Sequence, residues 1–511
     1  MVTRRDFLVR TGALVPALAA CARAASPAGP TVVNDIHSQL NATRVAAVER
    51  PRSVDEVVRV VRDARKAGRA ISLAGGRHAM GGQQFGEGTV HVDTSGLARI
   101  IRFDPERGHV EAEAGMQWPA LMEGVLAAQR GAARPWGIVQ KQTGADRLSL
   151  GGSLAANVHG RGLTYRPFVQ DVESFMLVDA AGTVRRCART ENADLFRLAI
   201  GGYGLFGVVT AITLRLAPRR KIERLVEIID LETLAARFDE RIAAGFLFGD
   251  FQFSTDEASG EFLRRGVFSC YRPIDDAREV PAVQKELGLG DWQRLLYLSH
   301  ADKRGAFAAY SAYYLGTSGQ LYWSDTHQLS LYVDDYHTAL DRQLGVTERA
   351  TEMITELYVP RPSLGAFMRD VAADARAHGV NVVYGTIRLI ERDDETFLAW
   401  ARQPYACIIF NLHVVHTPEG LARAAADFRR LIDRARSYGG SYYLTYHRWA
   451  TREQVQACYP QFTEFLRLKR RHDPEERFQS EWYRHYRTMF ADVLGSSPTF
   501  SNEKGNDRGG V

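Results

Sequence analysis

With 511 residues, 45% of them apolar and 24% charged, the chain has the composition of a globular protein able to build two or more domains. Past the N-terminus no apolar run is long enough to span a bilayer. The net charge of +5 falls to +2 once a leader carrying four arginines and one aspartate is set aside, which excludes a basic nucleic-acid footprint. Four cysteines beyond the leader (Cys187, Cys270, Cys407 and Cys458) stand far apart, so neither a disulfide framework nor a CxxC metal site is implied.

The leader, MVTRRDFLVRTGALVPALAACARAAS, sets Arg4 and Arg5 before a modest apolar stretch that ends in small residues. It resembles a twin-arginine export signal over residues 1–25, which implies the twin-arginine machinery as a partner and a periplasmic or exported protein. Leu18-Ala19-Ala20-Cys21 resembles a lipobox, so lipid anchoring through Cys21 and cleavage after Ala25 both stay open.

Ser53-Val54-Asp55-Glu56 reads as a capping box, and Val57, Val58, Val61 and Ala64 then recur on one helical face up to Gly68. Ala70 to Ala74 and Val90 to Asp93 read as short strands. IIRFDPERGHVEAEA (100–114) reads as a hairpin turning at Asp104 to Gly108, followed by a helix over Trp118 to Ala128. A hairpin turning at Asp179 to Gly182 and a helix through Leu195-Phe196 follow. Pro218-Arg219-Arg220 marks a boundary, after which longer strands (MITELYVP, VNVVYGTIRLI, CIIFNLHVVH) alternate with helices over Ser363 to His378 and Pro418 to Tyr438. The pattern predicts an antiparallel sheet with helices on one face, and the fold class α+β. Residues 491–511 are polar and expected to be disordered.

Three glycine-rich segments carry the chemistry. AGGRHAMGGQQF (74–85) follows a strand, and its backbone N–H groups are able to converge on a diphosphate. It is neither GxGxxG nor a P-loop. LSLGGSLAANVHGRG (148–162) and LFRLAIGGYGLFGVVT (195–210) follow in order. Together they resemble the flavoprotein family of vanillyl-alcohol oxidase and p-cresol methylhydroxylase, the PCMH type, nearest to alditol and aldonolactone oxidases and cytokinin dehydrogenases.

The resemblance implies an FAD domain of two α+β subdomains over residues 26–218, a substrate domain over 219–440 and a C-terminal segment, 441–490, that returns to the FAD domain. It implies that Gly75, Gly76, Arg77, His78, Ala79, Gly81, Gly82 and Gln83 cradle the pyrophosphate. Thr143, Gly144, Leu148, Ser149, Gly151, Gly152, Asn157, His159 and Gly160 would line the flavin and ribityl chain, and Val208 would meet the flavin or adenine through its backbone. GRHAMGGQ resembles the version whose histidine bonds covalently to the flavin, so His78 is the expected attachment point.

The same resemblance implies hydride transfer from a CH–OH carbon of a sugar, polyol or aldonolactone to flavin N5, with O2 or another acceptor reoxidising the cofactor. A base within hydrogen-bond reach takes the remaining proton. In YGTIRLIERDD (384–394) Arg388 matches an active-site arginine, but Thr386 stands where an acid is expected; Arg388 pairing with Glu391, Asp393 or Asp394 is the plain alternative. His413 in FNLHVVHT and His447 in YHRWATRE are the candidate bases, with core packing as the alternative for each; Glu356 is a spare. His413 and His416 lie i and i+3 on a strand and point apart, so no metal site is expected from them. Lys469, Arg470 and Arg471 read as a solvated face. The competing readings are an amine-oxidising enzyme of the cytokinin-dehydrogenase type, favoured by an acid poised at the flavin; a decaprenylphosphoryl-ribose-oxidase type with non-covalent FAD; and a periplasmic binding protein with an inactive flavin.

Overall fold

The computed structural model describes residues 31–333 and 335–495. The expected twin-arginine leader with Cys21 and the last residues from 496 on lie outside that range. Residues 491–494, expected within a disordered tail, form the short helix Ala491–Leu494, anchored by Leu494.

The N-terminal part folds as the hydrophobic pattern directs. Ser53 caps the helix Val54–Lys66 by accepting from the Glu56 N–H, and Val57, Val60, Val61 and Ala64 are buried. The Glu56 carboxylate accepts from the Arg52 N–H, one residue earlier than a regular capping box requires. That helix packs by a three-stranded parallel sheet in the order Ala47–Glu49, Val90–Asp93, Ile71–Ala74. Phe478 joins the sheet's edge as a parallel bridge to Ile71, so the C-terminal segment returns to this subdomain.

A second sheet, six-stranded and antiparallel along its main path, contains the expected hairpin, Ile100–Asp104 paired with His109–Glu113. Its central strand Val208–Pro218 pairs with Val172–Val178 on one side and His109–Glu113 on the other.

The sheet changes between Pro218 and Lys221. From there eight strands build one large sheet, and its last four in spatial order are Val382–Ile390, Tyr405–Val415, Ala350–Pro360 and Ser441–Tyr442. The helices Leu364–His378 and Pro418–Ser437 pack against these strands. Alternation along the strands sorts the residues by face. Ile354, Glu356 and Tyr358 share a face with their cross-strand partners Asn411, Ile409 and Cys407, and next with Tyr384, Thr386 and Arg388. The opposite set is buried and mostly apolar, with Leu357, Ile387 and Ile408 fully enclosed.

The solvated face expected at 469–471 is corrected at its first residue. Lys469 is fully buried in the helix Phe462–His472, ion-paired to Asp473 one turn on, because Asp473 also accepts the Phe478 N–H and fixes the returning segment. Among the described residues no helix is long and apolar enough to cross a membrane.

Candidate functional site

The first two glycine-rich segments are pressed against each other. A Cβ added to Gly75 would fall 2.0 Å from Ser149 Oγ, and one on Gly76 only 2.2 Å from the Arg147 carbonyl oxygen. Ser149 caps the helix Leu150–Ala156 by accepting from the Gly152 N–H at 3.1 Å, while the Gly151 N–H donates to Ala114 O at 2.7 Å. Gly207, from the third segment, has φ +151°, and a Cβ there would meet Val178 O at 2.6 Å. Glycine is thus required so that backbones can close around a long cleft. The cleft measures about 1320 Å³ with its mouth and runs between the two N-terminal sheets to the large one.

Of the residues expected to cradle a dinucleotide, Gly75, Gly76, Arg77, His78, Ala79, Gln83, Gly144, Leu148, Ser149, Gly151, Gly152, His159 and Val208 line this cleft. Five do not. Gly81 and Gly82 instead bind the returning segment, through Gly81 N–H to Thr445 O and Trp482 N–H to Gly82 O. Asn157, left-handed at φ 48°, spends its side chain on Asp393 Oδ2 (2.9 Å) and the Val169 N–H (3.0 Å). Gly160 is packed on the Lys141 carbonyl, and Thr143 stands off the cleft wall.

His78 is 8% exposed. Its Nδ1 shares a hydrogen bond of 2.8 Å with His37 Nε2, and the Tyr332 ring meets both imidazoles edge-on. His78 Nε2 is buried without a regular hydrogen bond among the described residues. Burial, then the His37 and Arg147 charges, hold the His78 pKa well below that of a free imidazole, so the ring is neutral at neutral pH. His37, which the sequence reading missed, is likewise lowered to about 4 by burial and by His337.

At the other end, Ile354 and Glu356 from the large sheet enter the cleft wall with Tyr443, Thr445 and Tyr446 of the returning segment. Glu356 is 1% exposed, and its Oε1 lies 2.5 Å from His159 Nε2. His159 Nδ1 donates to the Gly160 carbonyl at 3.0 Å, which fixes the ring with Nε2 toward the carboxylate. Beside Glu356 on the same face lie buried polar atoms without hydrogen-bond partners among the described residues: Thr386 Oγ1, Arg388 Nε and Nη1, and Asn411 Oδ1. Arg388 pairs with none of its expected acids. Glu391 goes to Arg361, Asp394 to Arg166, and Asp393 to Asn157 and Thr396.

The two candidate bases are not brought to the cleft. His447 is enclosed by Phe428, Tyr442 and Trp449, and burial lowers its pKa to about 3. It is a core histidine, held there by aromatic packing. His413 turns to Glu352, its partner across the strand ladder. Burial alone would raise the Glu352 carboxyl, but His300, His337 and His413 outweigh it and hold the group well below the carboxylate range. The acid missing at Thr386 is supplied from two strands away: Glu356, Ile409 and Thr386 stand in one cross-strand row.

A glycine-walled cleft of this length, with a buried neutral imidazole aimed into it, has the shape and backbone donors for FAD. Residues 45–188 match the family described as FAD binding domain. The protein is a flavoprotein of the PCMH type, and its cofactor is FAD. Cytokinin dehydrogenase 4 of Oryza sativa subsp. japonica is 31% identical over 212 residues, 39% of this chain and 39% of that protein. L-gulono-1,4-lactone dehydrogenase of Mycobacterium tuberculosis is 24% identical over 447 residues, 86% of this chain and 95% of that one. L-gulonolactone oxidase of Bos taurus is 26% identical over 170 residues, 33% and 37% of the two chains. Beyond that domain the chain is similar to aldonolactone oxidases and cytokinin dehydrogenases, which makes it an FAD-dependent oxidoreductase in the coarse sense.

Proposed function

We propose that the protein oxidises a CH–OH group of a small polyhydroxylated substrate, a sugar, polyol or aldonolactone. The observation that carries this reading is the row of buried, unpartnered polar atoms (Thr386 Oγ1, Arg388 Nε and Nη1, Asn411 Oδ1) on the same strand face as Glu356, which itself lines the cleft. Each such group left unpaired costs about 1–3 kcal/mol, so the face suits a ligand with several hydroxyl or carbonyl oxygens. When bound, FAD supplies the acceptor for the hydride leaving the substrate carbon. Glu356 takes the hydroxyl proton on its second oxygen, while His159 holds the first in place through Nε2. Arg388 donates to a substrate oxygen and fixes its orientation. Tyr446 and Ile354 close the cleft wall and keep water from the reacting carbon.

His78 is the attachment point for FAD in this reading, supported by its neutral ring and its buried Nε2. The leader at Arg4-Arg5 fits export to the periplasm, with O2 or another acceptor there; fractionation of cells expressing the full chain and an Arg4→Lys/Arg5→Lys variant tests it.

One observation favours a second reading: an acid, Glu356, does stand at the cleft, as oxidation of a CH–NH group would use. The test is anaerobic mixing of the yellow protein with polyols, sugars and aldonolactones on one side and N-alkylated adenines on the other. Flavin bleaching by the oxygen-rich set alone supports the first reading. Bleaching by the amines alone replaces it with the second, and no bleaching by either set removes both.

A further inference from the structure

Glu352 lies four residues before Glu356 on the same face of the Ala350–Pro360 strand, yet it is not part of the cleft wall. Its carboxylate, 3% exposed, gathers imidazoles from three other elements. His300 Nε2, from the helix Leu289–Ala301, lies 3.2 Å from Oε1. His413 Nδ1, from the neighbouring strand, lies 3.4 Å from Oε1. His337 Nδ1, from the helix Tyr336–Leu344, lies 3.0 Å from Oε2, and the Tyr336 hydroxyl donates to that same oxygen.

Of the three imidazole contacts only that of His413 has hydrogen-bond geometry. His300 Nε2 and both nitrogens of His337 are buried and make no hydrogen bond of regular geometry among the described residues. Their side chains are only 4% and 5% exposed, so water is not an easy partner. Two N or O ligands on one tetrahedral ion, each about 2.0–2.1 Å from it, stand about 3.3 Å from each other. The 3.2 and 3.4 Å separations at Oε1 match that edge, and the ligand atoms of His300, Glu352 and His413 all lie within 4.8 Å of one another.

We propose that His300, Glu352 and His413 bind a divalent transition-metal ion of the zinc class, with water in the fourth position and with His337 and Tyr336 orienting the carboxylate through its second oxygen. Two imidazoles and a carboxylate suit such an ion, and a partner on the carboxylate's second oxygen is the usual support for one. The fourth position opens beside His413, the most exposed of the three at 20%. The ion ties the helix Leu289–Ala301 to the sheet that carries Glu356. Sequence spacing concealed it: His413 and His416 do part ways, His416 turning to Thr351 Oγ1, and the remaining ligands come from residues 300 and 352.

The test is elemental analysis of the tag-free holoenzyme after dialysis against zinc and then metal-free buffer. About one zinc per chain is expected, lost in His300→Ala and in Glu352→Gln while FAD content is kept. Less than a tenth of an equivalent, or zinc that persists in both variants, overturns the proposal. Should the variants fail to fold, cobalt added to chelator-stripped wild-type holoenzyme decides. One equivalent giving the intense visible bands of a four-coordinate site supports the proposal, and a spectrum no different from aqueous cobalt overturns it.

Discussion

The two ends of the cleft are built by opposite means. Around His78 the wall is backbone: Gly75, Gly76, Gly151, Gly152 and Gly207 let strands and loops approach within the space a methyl group would fill. Around Glu356 the wall is side chain, and the strand face behind it is assembled from strands 30 to 60 residues apart in sequence, with buried polar atoms unpaired. The first end tolerates almost no added atom; the second tolerates atoms but needs particular donors and acceptors. A cofactor common to a family calls for the first kind of wall and a particular substrate for the second.

Substitutions separate the two ends, and the largest effect belongs to the backbone. Gly76→Ala places a Cβ against a carbonyl oxygen that only a main-chain shift can move, so the variant is expected to purify without FAD, read from its visible absorbance. Glu356→Gln keeps the volume and removes the base. Flavin content should be unchanged, with kcat reduced by about 10²–10⁴, the range for losing a general base. Full activity in that variant would move the proton acceptor elsewhere on the face.

Arg388→Met removes a charged donor worth about 1.5–3 kcal/mol, so kcat/KM should fall by roughly 10- to 150-fold with FAD still bound. The smallest effect is on acid stability rather than on turnover. His37, His91 and His447 are held neutral with pKa values lowered to about 4, 4 and 3. Unfolded, each takes up a proton near pH 6.5, so the unfolded chain binds more protons between pH 6.5 and about 4. Stability is therefore full above pH 6.5 and lost as pH falls. His447→Phe should flatten that acid loss of stability by at most about 1.4 kcal/mol per pH unit while leaving turnover unchanged, because its ring packs against Phe428, Tyr442 and Trp449 away from the cleft.

The same contrast explains what was legible in the sequence. The glycine loops are contiguous, and close backbone approach has one residue that serves it, so most of the cofactor wall could be read along the chain. The exceptions Gly81, Gly82, Asn157 and Gly160 sit in the same loops but serve their anchoring, and Thr143, outside those loops, stands off the wall. The substrate face was legible only at Arg388 and at Glu356, which had been held as a spare. Cross-strand register decides which side chains meet, and nothing local in YGTIRLIERDD announces that Thr386 shares a row with Glu356. His447 misled because a histidine among aromatics reads alike in a core and in a site. His37 was invisible since its partner is 41 residues away.

The most direct test of the account is rapid anaerobic mixing of the holoenzyme with an aldonolactone and a polyol, followed by flavin absorbance, with Glu356→Gln in parallel. Bleaching of the wild type by at least one of them, slowed by about 10² or more in the variant at equal flavin content, is the predicted result. Bleaching at the same rate in both proteins, or by amines alone, would contradict it.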